Sequence, residues 1–358
     1  MEKIKYKKWI LSVALMTSTV LFFMTFITYI LDPYMYYRVD DSKRLLNTRF
    51  VTAGLIKNSE YDTAIVGSSL IQNFDMNSFR NKLGWNPLKL TVGGMTTKEQ
   101  VQMVNMASKT NNPDRFILNI PLDVNYNDKT RDDIFPVYLY NSYYLDDIKY
   151  LFGYEVWTRY IPINTILNCA SKTGADLSGF SIKVDLMGDW SKEVEPGREI
   201  VIEGYQENGI HEPNISKYAI LSNMKNVIDI FHDEIKTQIQ NEKEFIFIFP
   251  PYSALYWSDM KEKDLYSEFI IAKKYFLYKF SEYSNVRIID MQDCEKISNL
   301  NYYIDSIHYH TTIQKDMLDA IISKQYDLNR ENFSSKSNNL DMIVTKFIQD
   351  NNDWLKVN

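Results

Sequence analysis

Short apolar runs alternate with helical segments along most of this chain, and this alternation constrains the fold more than any other feature. The runs are continuously apolar and rich in β-branched and aromatic residues, as in strands that are covered on both faces. The pattern predicts an α/β fold: a three-layer α/β/α sandwich around a parallel sheet. The runs are Thr63–Gly67, Leu88–Val92, Phe116–Ile120, Phe245–Phe249 and Val286–Ile289, and the clearest helical segments are Thr97–Ser108, Tyr218–Ile239 and Tyr266–Tyr283.

An uncharged stretch, Trp9–Leu31, lies near the N-terminus and follows four lysines. At about 1.5 Å per residue, a helix of this length crosses a hydrocarbon core of about 30 Å. The positive-inside rule places the lysines in the cytoplasm. A cleaved signal peptide is the alternative, but its apolar region is shorter and precedes small residues at the cleavage site. We expect residues 1–31 to form a cytoplasmic basic tip and a single-pass anchor in the cell membrane, with the remaining chain extracytoplasmic.

The rest of the chain divides by composition. Residues 32–60 are mixed and polar and predict a juxtamembrane stalk, and the α/β domain then spans 61–326. An interval rich in Tyr, Asp and Gly at about 125–215 breaks the alternation and predicts an insertion over one sheet edge, such as a lid. The C-terminal tail, 327–358, is predicted to contain a linker at Ser334–Asn339 and a short amphipathic helix at Met342–Leu355.

Composition excludes several classes of function. The net charge is −6 although four lysines lie in the N-terminal tip, so the acidic remainder disfavours nucleic acid as a partner. The two cysteines, Cys169 and Cys294, form either one disulfide or two buried thiols. We find no Gly-rich phosphate loop and no His/Cys cluster with metal-ligand spacing, so neither a metal nor another cofactor is predicted.

The first strand run ends in Gly67-Ser68-Ser69-Leu70. Ligands of parallel α/β sheets bind at the carboxyl ends of the strands, and a serine there opens the following helix. Its hydroxyl is then presented at the ligand-binding edge, and its backbone N–H lies at a helix N-terminus that favours negative charge. These are the positions of a nucleophile and of one oxyanion donor. An ordinary turn and helix cap has the same sequence, so this motif alone is weak.

Near the C-terminus, Asp305 precedes His308 by three residues. Within one turn of backbone the carboxylate can reach the imidazole, fix its tautomer and leave the second ring nitrogen facing a serine. A solvated Asp–His pair in a polar loop is the simpler alternative. His310 is a second candidate base, but its spacing from Asp305 gives no such local geometry.

A glycine pair, Gly93-Gly94, follows the second strand run. Glycines permit a tight turn whose amide points into the cleft at the strand ends, which would supply a second oxyanion donor. A plain strand-to-helix turn fits equally well.

Taken together, these residues resemble the SGNH/GDSL hydrolase superfamily, whose first block is Gly-Asp-Ser-Leu-like and whose last is Asp-x-x-His. The resemblance covers residues 61–326 and implies an SGNH-type serine acyltransferase or ester hydrolase with Ser69, Asp305 and His308 as a triad. It implies the amides of Ser69 and of Gly94, or of Gly93, as oxyanion donors.

Two blocks depart from the family pattern. Ser68 stands where the family has Asp, a variant also seen in the D-alanine transfer protein of teichoic acid modification. The Gly-x-Asn block is not evident after the third strand run, where Asn125 is the candidate third oxyanion donor. Phe249-Pro250-Pro251-Tyr252-Ser253 is similar to a motif of the anchored subgroup, in which Tyr252 either lines the substrate cleft or belongs to a structural turn.

The anchor and these blocks are similar to those of proteins that acylate exported polysaccharides beside a membrane-bound O-acyltransferase. The expected function is therefore transfer or removal of an O-acetyl or similar acyl group on an exported or cell-wall polysaccharide. D-alanyl transfer to teichoic acid is one alternative. Another is a non-catalytic glycan-binding or scaffold partner of the acyltransferase. The choice between a sugar hydroxyl and water as acceptor, and the identity of the glycan, stay open.

Overall fold

The computed structural model describes residues 2–39, 48–120, 122, 135–141, 143–162, 165, 195–209 and 216–355. Two compact units divide the chain, one formed by residues 1–59 and 136–184 and the other by residues 60–135 and 185–358. Asn125, Cys169 and most of the predicted insertion lie outside the described residues.

The second unit contains one five-stranded parallel sheet. Its strands are β1 (Thr63–Gly67), β2 (Pro87–Thr91), β3 (Arg115–Asn119), β4 (Glu244–Phe249) and β5 (Val286–Asp290). Its helices are α3 (Met76–Leu83), α4 (Thr97–Thr110), α6 (Arg198–Asn208), α7 (Lys217–Gln240), α8 (Ala254–Glu262), α9 (Tyr266–Phe280), α10 (Thr311–Ser323), α11 (Phe333–Asp350) and α12 (Asn352–Leu355).

The strand order is β2-β1-β3-β4-β5, with every neighbouring pair parallel. This is the flavodoxin-like order, in which the chain reverses its direction across the sheet between β1 and β3. Ligands of such sheets bind at this switch point, beyond the carboxyl ends of the two strands. The predicted α/β fold with a parallel sheet is confirmed.

The core lies on both faces of β4, as its continuous apolar sequence predicts. Phe245 through Phe249 have no exposed surface. Phe247 makes edge contacts with Phe231 of α7 and with Phe276 and Phe280 of α9, with ring centroids 4.9–5.9 Å apart. Burial of each such side chain contributes about 1.5–3 kcal/mol, so the aromatic layer holds helices against the sheet.

Side-chain caps fix where the helices begin, and they place the loops at the carboxyl edge of the sheet. Thr96 and Glu99 form a reciprocal capping box at the start of α4. The Ser253 hydroxyl accepts a hydrogen bond from the Tyr256 amide at the start of α8. Each cap satisfies an amide that has no partner within its helix.

The first unit contains α1 (Glu2–Leu31), α2 (Thr48–Asn58) and α5 (Asp147–Leu151). Among the described helices, α1 is long and apolar enough to cross a membrane. The predicted stalk is instead packed structure where it is described. Tyr34 and Tyr36 are buried, and α2 buries most of its residues. The Tyr150 hydroxyl donates to Asp32 at 2.8 Å, so the chain after α1 is folded onto a segment more than a hundred residues away.

The C-terminal region also differs from its prediction. Ser334–Asn339 is not a linker, because α11 runs without interruption from Phe333 to Asp350. Leu340, Val344 and Phe347 are buried along one side of α11, which packs against α8. The apolar residues that predicted a helix at Met342–Leu355 therefore belong largely to the same helix as the polar residues Ser334–Asn339.

Cys294 is a free, buried thiol.

Candidate active site

Two consecutive serines follow β1 and have different structural roles. Ser68 is buried and caps the 3-10 helix Ser69–Ile71, with its hydroxyl accepting from the Leu70 amide at 3.4 Å. Ser69 is the first residue of that helix and is partly exposed. Ser69 thus presents its hydroxyl at the carboxyl edge of β1, while Ser68 faces the protein interior.

The Asp305 carboxylate organises the loop that carries His308. Its Oδ1 accepts hydrogen bonds from the backbone amides of Ile307 at 2.8 Å and His308 at 2.7 Å. Its Oδ2 lies 2.6 Å from His308 Nδ1. Since a carboxylate accepts, we assign the proton to Nδ1, which makes Nε2 the ring nitrogen that can accept a proton from a hydroxyl. The three-residue spacing makes this geometry local, as the sequence predicted.

His308 and Ser69 meet across 239 residues of sequence. Ser69 Oγ lies 2.8 Å from His308 Nε2, within the range of a strong O–H···N hydrogen bond. The structure therefore brings the three predicted catalytic residues into one hydrogen-bonded chain. The order nucleophile, imidazole and carboxylate is that of serine acyl-transfer catalysis.

Electrostatics favour an ionised Asp305 beside the imidazole. Partial burial raises the pKa of the Asp305 carboxyl, but hydrogen bonds and the charge of His308, with the two backbone amides, outweigh it and hold that pKa below its usual range. A carboxylate that stays ionised stabilises the imidazolium formed when His308 takes a proton.

Asn119, the last residue of β3, supports the serine turn and was missed by sequence reasoning. Its side chain is fully buried. Its Oδ1 accepts from the Ser68 amide at 2.9 Å, and its Nδ2 donates to Ser68 Oγ at 3.1 Å. A polar residue at the end of an otherwise apolar strand, at the switch point of the sheet, was the available signal.

The contact between Asn119 and Ser68 requires a glycine at position 67. A Cβ at Gly67 would lie 1.9 Å from Asn119 Oδ1 and 2.6 Å from Ile71 Cδ1. No side chain fits in this space without displacing Asn119. The Gly-Ser-Ser sequence and Asn119 therefore form one packed unit.

Three side chains hold the His308 loop against its neighbours. The Tyr309 hydroxyl donates to the carbonyl of Leu70 at 2.7 Å, which ties the histidine loop to the serine helix. Ser253 donates to the Ser306 carbonyl with its amide at 3.1 Å and its hydroxyl at 2.6 Å. The Tyr303 hydroxyl donates to the Pro251 carbonyl at 2.8 Å. These bonds position His308 from two sides.

Gly93 and Gly94 lie in a turn after β2. The Met95 amide donates to the Val92 carbonyl at 3.1 Å, and Gly94 has a φ of +60°, which favours glycine. The Val92 amide donates to the Gly67 carbonyl at 2.9 Å, so the turn lies at the same sheet edge as the serines. Its role as an oxyanion donor stays a prediction.

Two other predicted residues have different surroundings. Tyr252, predicted to line the cleft, has no exposed surface, and its ring packs against Tyr256 and Trp257. Its side chain therefore offers no surface to a substrate. His310 caps α10 by accepting from the Thr312 amide.

Among the described residues no cluster of His, Cys, Asp and Glu could hold a metal ion.

No family model and no curated protein matches this chain. Among solved structures, the chain is similar to one from Streptococcus pneumonia described as a candidate platelet activating factor. The two share 10% sequence identity with a TM-score of 0.35, over 76% of this chain and 91% of the other. Fold and site together define an α/β protein with a serine, a histidine and an aspartate in hydrogen-bonded series at its sheet edge.

Proposed function

We propose that this protein is a membrane-anchored, extracytoplasmic serine acyltransferase or esterase that acts on an exported or cell-wall polysaccharide. The observation that carries the catalytic part is the continuous contact from Ser69 Oγ through His308 to Asp305, with distances of 2.8 and 2.6 Å. The uncharged stretch Trp9–Leu31 of α1, which follows four lysines, supports the anchor and its orientation. The resemblance of the sequence blocks supports the choice of acyl group and acceptor.

The first half-reaction forms an acyl-enzyme. His308 Nε2 takes the proton of the Ser69 hydroxyl as Oγ attacks the carbonyl carbon of the donor. The oxyanion that forms is held by the amides of Ser69 and Gly94, and Asp305 stabilises the imidazolium. The tetrahedral intermediate then expels the donor's leaving group, which takes the proton from His308.

The second half-reaction releases the acyl group. A sugar hydroxyl gives its proton to His308 Nε2 and attacks the acyl carbon, and Ser69 Oγ leaves with that proton restored. With water as the acceptor, the same steps release a carboxylic acid. A membrane-bound O-acyltransferase is the proposed source of acyl groups, since the catalytic unit lies outside the cell and cytoplasmic donors do not reach it.

Acylation of the surface glycan in cells tests this proposal. We expect Ser69→Ala to lower the acyl content as far as deletion of the whole gene does. His310→Ala is the control, because this residue caps a helix two residues beyond His308. If cells with Ser69→Ala keep full acylation while deletion abolishes it, the protein acts as a scaffold and the catalytic proposal is wrong.

A further inference from the structure

The first unit carries a group of exposed apolar side chains next to the end of α1. Leu145, Ile148 and Tyr154 are 70%, 53% and 81% exposed, and Tyr143 is 69% exposed. Leu145 lies in the 3-10 helix Tyr144–Asp146, which leads directly into α5, and Ile148 lies three residues later in α5. We name these four residues the juxtamembrane apolar surface.

Direct contacts place this surface beside the last turns of α1. The Thr28 hydroxyl donates to the carbonyl of Leu151 at 3.1 Å, and Thr28 has no exposed surface. Tyr150 donates to Asp32, immediately after α1. The Trp157 ring nitrogen donates to the same Leu151 carbonyl at 2.8 Å, which fixes the chain on both sides of Tyr154 to this position.

The length of α1 indicates how deep in the bilayer these contacts lie. Its uncharged residues are exposed from Trp9 to Phe23, and burial against the first unit begins at Met24. The exposed part alone spans only about 22 Å at 1.5 Å per residue, short of a hydrocarbon core of about 30 Å. The turns from Met24 to Leu31 are therefore needed to complete the crossing. The residues that pack beside these last turns of α1 therefore lie at the outer boundary of the bilayer.

The polar groups around the end of α1 agree with that depth. Arg38 donates to the carbonyl of Tyr29 at 2.7 Å, and its guanidinium lies 5.1 Å from the centre of the Tyr29 ring. Tyrosine and arginine are typical of the level of the lipid headgroups, where an aromatic body is apolar and its polar tip is hydrated. Lys149, exposed on α5 beside Ile148, forms an ion pair with Asp146 at 2.9 Å, so these two charges offset each other next to the apolar side chains.

We propose that the juxtamembrane apolar surface inserts into the outer leaflet of the membrane that α1 crosses, with lipid as its occupant. This rests on the anchor of the proposed function and is independent of the triad. Two attachments, one spanning helix and one interfacial surface, would fix the orientation of the first unit on the membrane, which a single helix alone does not.

Nitroxide accessibility in lipid nanodiscs tests the inference on the full chain. Single cysteines replace Leu145, Ile148 or Tyr154 in a Cys169→Ser, Cys294→Ala background, with a phosphatidylglycerol–phosphatidylcholine bilayer and no protein besides the cysteine-free nanodisc scaffold. Tyr218→Cys is the matched control, because Tyr218 and Tyr154 are both 81% exposed. Val20→Cys, within α1, reports the anchor itself.

We expect the ratio of oxygen to nickel-chelate accessibility to be several-fold higher at the three sites than at Tyr218. Equal ratios at these sites and at Tyr218, with a high ratio at Val20, would overturn the inference and leave the anchor intact. The surface would then face water, or a protein partner absent from the nanodisc. A low ratio at Val20 would overturn the anchor and the inference together.

Discussion

Asn119 binds Ser68 through both ends of its side-chain amide, with Oδ1 accepting from the Ser68 amide and Nδ2 donating to the Ser68 hydroxyl. This pair fixes the residue before the proposed nucleophile, and so fixes the direction of the Ser69 amide and hydroxyl. Asn119 is a positioning residue in this account, since its contacts are to Ser68.

Asn119→Ala should destabilise the protein and lower the reactivity of Ser69. Loss of the side chain leaves the Ser68 amide buried without its acceptor, at a cost of about 1–3 kcal/mol. Thermal unfolding and the rate of fluorophosphonate labelling measure the two effects on the same sample. Asn241→Ala, at an exposed position, is the control and should change neither. An unchanged labelling rate in a folded Asn119→Ala protein would show that the Ser68 contact does not position Ser69.

Gly67→Ala should be strongly destabilising, whereas Gly93→Ala should not. The added methyl group at Gly67 would lie 1.9 Å from Asn119 Oδ1, but at Gly93 nothing lies within 4 Å. Overpacking in a rigid core costs about 1–3 kcal/mol, and an open surface site about 0.5 kcal/mol or less. The free energy of unfolding in denaturant separates the two. Equal losses would mean that the space around Gly67 is not tightly packed.

Tyr309→Phe should lower the unfolding free energy by about 0.5–1.5 kcal/mol through loss of the hydrogen bond to the Leu70 carbonyl. The variant keeps the buried ring, so the protein stays folded while the histidine loop is less firmly tied to the serine helix. We expect slower labelling of Ser69 as well. Tyr218→Phe, at a position 81% exposed, is the matched control. If both variants label at the wild-type rate, Tyr309 has only a structural role.

The contribution of Asp305 to folding stability should decrease as the pH falls. Its folded pKa lies below the unfolded value, so its stabilisation is present above the unfolded pKa and is lost as the pH falls through the folded pKa. The stability difference between wild type and Asp305→Asn should therefore be constant near neutral pH and shrink below about pH 4. Unfolding midpoints from pH 3 to 8 measure it. A stability difference that grows on acidification would show that the pKa of Asp305 is not lowered in the folded protein.

Cys294 should react slowly with maleimide in the folded protein. Burial raises the pKa of its thiol to about 12, so little thiolate forms near neutral pH, and only 6% of the residue is exposed. In a Cys169→Ser background, mass spectrometry should find full modification in urea and little without it. Rapid modification of the folded protein would place Cys294 at an accessible surface.

The sequence predicted the parallel-sheet fold and the contact between Asp305 and His308 because both depend on local patterns. Continuous apolar runs such as Phe245–Phe249 report burial on two faces, and the Asp305–His308 pair is organised within one turn of backbone. Long-range packing left weaker signals. Asn119 acts through a partner 51 residues earlier, and Tyr150 meets Asp32 across 118 residues. The polar run Ser334–Asn339 is helical because the buried residues that follow it, beginning with Leu340, stabilise the whole of α11.

The site of a fluorophosphonate adduct tests the central claim most directly. Ser69 should carry the adduct in the wild-type protein, and His308→Ala should slow its formation by about 100-fold or more, as for loss of a general base. His310→Ala should label at nearly the wild-type rate. An adduct on Ser68 or another serine, or a His308→Ala protein that labels as fast as wild type, would contradict the triad.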